Sequence, residues 1–147
     1  MQGGRGPQSA SEKVSTGILL NRIPSPELRF VARELHESLL DLPSIWAPSE
    51  VFVHESIAYR LRGRAFVHMA PPLASEGVEL HVPEGMYSLH VLQEMAKGLP
   101  DSAETTVVEN APHRHTKGGE LVVHVSRENL RDVLQFVVRL YRRARGV

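Results

Sequence analysis

Eight histidines give this chain most of its chemical range, because an imidazole can carry charge near neutrality, move a proton or ligate a metal. Four of them, His54, His68, His81 and His124, fall in stretches where apolar residues alternate. Two more bracket an arginine in Pro112-His113-Arg114-His115-Thr116-Lys117-Gly118-Gly119. Residues two apart on a strand share a face. The alternation therefore sets the four strand histidines on one face of a sheet, with Arg60, Arg64 and Glu79. Imidazoles, guanidinium groups and a carboxylate on one wet surface can hold an anion or a polar partner, or pass a proton. A plainer account competes with that one. A sheet with one buried face collects polar residues on the other without any site.

Other chemistry is weaker in the pattern. His113 and His115, at i and i+2, are only two ligands and do not make a metal site by themselves. A zinc site would need one of them joined by His81, His124 or Glu120 across strands, and the helical H-E-x-x-H pair is absent. No metal and no cofactor is expected. Lys117-Gly118-Gly119 could turn backbone N–H groups toward an anion, but it lacks the spacing of a phosphate-binding P-loop. Ser88 and His90 lie two apart in a helical stretch and do not face each other, and no G-x-S-x-G elbow occurs. Arg139, Arg142, Arg143 and Arg145 cluster at a helix end, where they offset the dipole and could also meet an acidic partner or nucleic acid.

The elements that must position these residues follow from periodicity. Residues 1–17, rich in Gly, Ser and Gln, read as a disordered N-terminal tail, and 18–147 as a single α+β domain. Ser25-Pro26-Glu27 opens a helix with cap, first-turn proline and acid in order, and Leu28, Val31, Ala32, Leu35 and Leu39 repeat at helical spacing up to Leu42-Pro43. From Val51 the period becomes two. Val53, Ile57, Tyr59 and Leu61 share one face, against Phe52, His54, Ala58 and Arg60. After the Arg62-Gly63 turn, Ala65, Val67 and Met69 continue the core face, with Arg64, Phe66 and His68 outward. Val78, Leu80 and Val82 alternate with Glu79 and His81.

Pro83-Glu84 opens a second helix ending at Lys97-Gly98; Ala103 to Val108 and Leu121 to Val125 are strands, and Ser126 caps the last helix. The only tryptophan, Trp46, is expected to plug the end of the core. The order α-β-β-β-α-β-β-α, uneven in its runs, predicts a two-layer fold with a mostly antiparallel four- or five-stranded sheet packed on three helices.

Composition bounds the rest. A chain of 147 residues with 41% hydrophobic content can bury one real core. With 17 basic and 17 acidic residues the formal charge is zero, which makes nucleic acid an unlikely partner without excluding it. No cysteine is present, so disulfides, thiolate chemistry and cysteine zinc sites are excluded. No apolar run has the length to span a bilayer and the first residues lack a signal-peptide core, so a soluble, cytoplasmic protein without membrane contact is expected.

Several stretches carry a family likeness. Arg62-Gly63-Arg64 leads into Phe66-Val67-His68, then come Val78-Glu79-Leu80-His81-Val82-Pro83, Ala111-Pro112-His113-Arg114 and a helix ending in Leu140-Tyr141-Arg142-Arg143. In these pieces the stretch from Tyr59 to Ala144 resembles the luciferase-like domain family of small bacterial proteins. Where that family often carries a second histidine and a tryptophan, this chain has Ala70 and Leu121. Tyr59 to Phe66 and the strand–helix unit from Val78 to Ala96 also resemble the MmcQ/YjbR-like family, whose α+β fold is likened to DNA-binding double-wing domains. Neither resemblance implies a catalytic motif here.

The leading expectation is a non-catalytic binding or accessory module. Its open sheet face, with Phe52, Phe66 and Val122 among the polar residues, would take a protein partner, a second copy of the chain or a small anion. His68, His81, His113, His115, His124, Arg60, Arg64 and Glu79 are the candidate binding residues. Two alternatives stand beside it. One is a small enzyme with a histidine-centred site, using His68, His81 or His113 as acid or base; whether the chain is an enzyme stays open. The other is a nucleic-acid-binding domain of double-wing type using the Arg60–Arg64 hairpin and the C-terminal arginines.

Overall fold

The computed structural model describes residues 12–53, 56–72, 77–109 and 118–146. Among them the elements run β1 (Lys13–Ser15), α1 (Thr16–Asn21), α2 (Pro26–Leu40), β2 (Ile45–Trp46), β3 (Glu50–Phe52), β4 (Ile57–Leu61), β5 (Arg64–Ala70), β6 (Val78–Pro83), α3 (Leu89–Ala96), β7 (Thr105–Val108), β8 (Glu120–Val125) and α4 (Leu130–Ala144). The chain is thus α+β. Six strands form one antiparallel sheet in the order β2-β4-β5-β6-β8-β7, and β1 and β3 pair in a second, small sheet.

Two expectations about element number need correction. Among the described residues the main sheet has six strands rather than four or five, and the three expected helices are present with a further short one, α1, before them. The run from Val51 to Leu61 is not one strand. β3 turns away to pair with β1, β4 begins at Ile57, and Ile45-Trp46 adds a short edge to β4. Residues 13–17, expected as tail, instead form β1 and the start of α1, capped by the Ser15 hydroxyl accepting from the Ile18 N–H. Only Val14 of that stretch is buried, so periodicity over three residues gave no strand signal.

Other local signals act as read. The Ser25 hydroxyl accepts from the Leu28 N–H and Pro26 occupies the first helical turn. Arg62 and Gly63 both adopt left-handed backbone conformations, φ 54° and 80°, as a two-residue hairpin turn between paired Leu61 and Arg64 requires. The second helix starts late, after Ser88 rather than Pro83. Pro83 still pairs with Glu120, and Tyr87 then drops into the core, its hydroxyl donating to the Leu140 carbonyl at 2.6 Å. Ser126 does not cap α4 directly. It forms a reciprocal turn with Asn129: Asn129 Oδ1 accepts from the Ser126 N–H, and Ser126 Oγ from the Asn129 N–H.

The helices cover the face that carries Ile57, Tyr59, Val67, Leu80 and Val123, all fully buried. The Tyr59 hydroxyl meets His36 Nδ1 of α2 at 2.7 Å, and the Phe66 ring meets Tyr141 of α4 edge-on at 6.2 Å between centroids. Phe66 was expected on the outer face. Tyr59 pairs with Val67 while Arg60 pairs with Ala65, so Phe66 is an extra residue, a β-bulge. The bulge turns Phe66 and Val67 to the same, buried side and exchanges the expected roles of Ala65 and Phe66. Among the described residues no helix is long and apolar enough to cross a membrane.

Candidate functional site

On the helix-free face, alternation and strand order together build a cluster. β6 presents Glu79 and His81, β8 presents Glu120, Val122 and His124, and β5 presents His68 and Ala70. His81 stands directly between His68 and Val122, and Glu79 between Ala70 and His124. Residues opposite each other on adjacent antiparallel strands have their Cβ atoms close enough for side chains to meet.

They meet here as an alternating row of carboxylates and imidazoles. Glu120 Oε1 lies 2.7 Å from His81 Nδ1, His81 Nε2 lies 3.0 Å from Glu79 Oε1, and Glu79 Oε2 lies 3.9 Å from His124 Nε2. Side-chain exposure climbs along the row, from 2% at Glu120 and 9% at His81 to 34% at Glu79 and 46% at His124. The row runs from the interior to solvent.

The geometry limits what His81 can do. Each of its two short contacts needs a proton between nitrogen and oxygen, and a neutral imidazole supplies one. With both ring nitrogens engaged by carboxylates, His81 presents neither nitrogen to a metal. Among the described residues no group of three or more His, Asp or Glu is placed to hold a metal ion. Glu120 on Nδ1 is the kind of partner that orients a general base, yet Nε2 points at Glu79 and not into a cavity.

Not every expected residue joins the cluster. His68, His81, Glu79 and His124 are brought together. Arg60 is turned back on its own hairpin, its guanidinium donating to the Gly63 carbonyl at 3.2 Å. Arg64 pairs with Leu61, a core residue, so the bulge at Phe66 takes it off the histidine face. His113 and His115, and His54 with them, lie outside the described residues. The anion cradle at Gly118-Gly119 is filled from within the chain, because the Gly119 N–H donates to Glu84 Oε1 at 3.2 Å. A side chain at Gly119 would meet the Val108 carbonyl at 2.7 Å, so this close approach requires glycine.

The apolar part of the face is also different. Phe52 belongs to the small sheet, Phe66 is buried, and Val122 is only 6% exposed. Among the described residues, the large exposed hydrophobic on this face is Trp46. It pairs with Arg60 at the β2 edge and is 61% exposed, so it does not plug the core. Between Trp46 and Glu79 the face carries Ala58, Ala65, His68 and Ala70, all half-buried. Glu120 is the member that sequence reasoning weighed only as a zinc partner. Its place two residues before Val122 and four before His124 already put it on this face. The unseen step was that β8 lies beside β6.

Comparison of the chain with known protein families, with curated proteins and with solved structures returns no match.

Proposed function

We propose that the protein is a non-catalytic binding or accessory module whose recognition surface is the helix-free face of the six-stranded sheet. The observation that carries this reading is the engagement of both His81 ring nitrogens by Glu120 and Glu79. A general acid or base needs a ring nitrogen facing the substrate, and here both are occupied by carboxylates of the chain itself.

The chemistry of the face indicates the kind of partner. Two carboxylates flank one imidazole, and the Arg60 guanidinium is turned away from them onto the Gly63 carbonyl. The partly exposed Glu79 therefore asks for a cationic donor rather than an anion. Trp46 supplies an exposed aromatic anchor on the same face, and an aromatic beside small and polar residues is the composition of a protein-binding spot. The partner is a protein segment presenting lysine or arginine. The resemblance to the luciferase-like domain family is a proposal of kinship and brings no reaction with it.

The test is an NMR titration of the isotope-labelled protein with two short peptides that differ only in carrying arginine or glutamate. The arginine peptide should shift the backbone amides of Ala70, Glu79 and His124 and the Trp46 indole, and Glu79→Gln should remove those shifts. Shifts with the glutamate peptide instead, or a face silent to both, would overturn the reading.

A further inference from the structure

On the helical side of the molecule, the outer face of α4, with Phe30 of α2, lines an open groove of about 690 Å³. The two helices run in the same sense: Phe30 near the start of α2 meets Arg127 just before α4, while Pro43 after α2 accepts from the Tyr141 hydroxyl near the end of α4. Phe30, Leu130, Leu134 and Val138 give the groove an apolar floor, and Phe30 is 40% exposed. The spacing 130, 134, 138 is one stripe of a helix.

The rim is basic. Arg127, Arg131, Arg139 and Arg142 line the groove, and none of its lining residues is acidic. The chain as a whole is neutral, with 17 residues of each sign. Even so, none of these four arginines pairs with a carboxylate among the described residues. Arg127 and Arg139 lie over the rings of Phe30 and Phe136, at 4.7 and 5.9 Å from the centroids. Such contacts leave a guanidinium charge uncompensated.

We infer that this groove docks an acidic amphipathic helix of a partner protein, its apolar stripe on Leu130, Leu134 and Val138 and its carboxylates on the four arginines. The distribution of charge selects this occupant. From Arg131 to Arg142 the cations extend along roughly 17 Å of helix axis. A fatty acid or a single phosphate would satisfy one end of that row and leave the rest unmatched. A nucleic-acid strand would match the row but not the apolar floor, which has no base-stacking ring exposed along its middle. Arg131, Arg139 and Arg142 all lie on one flank of the Leu130–Leu134–Val138 stripe, and a helix with leucines every three or four residues and glutamates along the facing flank matches floor and rim together. This inference does not depend on the sheet face, and Glu79 plays no part in it.

The probe is a fluorescently labelled model peptide of about five helical turns, leucine at i, i+3, i+4 and i+7 and glutamate elsewhere, read by anisotropy. Controls are the same residues scrambled to destroy the apolar stripe, phosphatidylglycerol vesicles and a single-stranded oligonucleotide. The amphipathic peptide should bind, more weakly as salt rises. The exposed-site double variant Arg131→Glu/Arg142→Glu should lose about tenfold or more in affinity, as should Leu134→Asp. Melting curves of both variants establish that they fold, and Glu79→Gln should bind like the parent. Equal binding of the scrambled peptide, unchanged affinity in the double variant, or binding of vesicles or oligonucleotide in preference to the peptide would each overturn the inference.

Discussion

At the scale of single residues, the row Glu120–His81–Glu79–His124 separates two kinds of carboxylate by burial. The Glu120 side chain is 2% exposed and hydrogen-bonded to an imidazole, whereas Glu79 is one-third exposed and can be solvated. Removing a buried, charge-assisted partner strands the group left behind, at about 2–3 kcal/mol. An exposed ion pair is worth about 1 kcal/mol or less. Glu120→Ala should therefore lower the free energy of unfolding by about 2–3 kcal/mol in urea titrations, and Glu79→Gln by less than about 1. Equal costs for the two would mean that Glu120 does not anchor the row. Half of this was legible in the chain. Alternation put His68, Glu79, His81 and His124 on one face because side-chain direction on a strand is a local property. Their pairing partners depend on strand order, which is not local, and so the tie from Glu120 to His81 could not be read from spacing.

At the scale of elements, the Ser25-Pro26 helix start and the Arg62-Gly63 turn are legible in the chain, whereas the starts of α3 and α4 and the parity of β5 are not. Ser25, Pro26 and the Arg62-Gly63 turn act through groups within a few residues of themselves, so their meaning survives folding. Parity fails at the first bulge. One extra residue between the Tyr59–Val67 and Arg60–Ala65 pairs reverses every later assignment toward the hairpin, and nothing in Ala65-Phe66-Val67 marks it. The same bulge takes Arg64 away from the histidines and buries Phe66 against Tyr141. The two parities make opposite forecasts. With Phe66 on an open face, Phe66→Ala would change stability little. With the bulge, it empties a fully buried site and should cost about 3–5 kcal/mol in chemical denaturation. A cost under about 1 kcal/mol, the size usual for surface substitutions, would restore the unbulged strand.

At the scale of the whole molecule, buried polar ties between sheet and helices should set the pH range of stability. His36 and Tyr59 join α2 to β4, and Tyr87 joins the start of α3 to α4. Burial lowers the His36 pKa below 6.5, against a smaller opposing pull from Glu37. The unfolded chain then binds more protons than the folded one between the folded value and 6.5. The His36 contribution is thus complete above pH 6.5 and is lost as pH falls through the folded value. The tyrosines act in the other direction. Burial raises Tyr59 above 10.0 and pushes Tyr87 up to about 12. Both stay protonated in the fold after the unfolded chain has begun to ionise, so their contribution holds below pH 10.0 and declines above it. Urea midpoints measured across this range should form a plateau between the two limits. His36→Gln should flatten the acid limb relative to the parent, and Tyr59→Phe with Tyr87→Phe should flatten the alkaline one. The phenylalanine pair should also lower the plateau, by about 1 kcal/mol for each lost hydrogen bond. An alkaline limb that persists unchanged in the double variant would show that the two hydroxyls do not couple folding to pH, and the tyrosine ties would then be packing contacts alone.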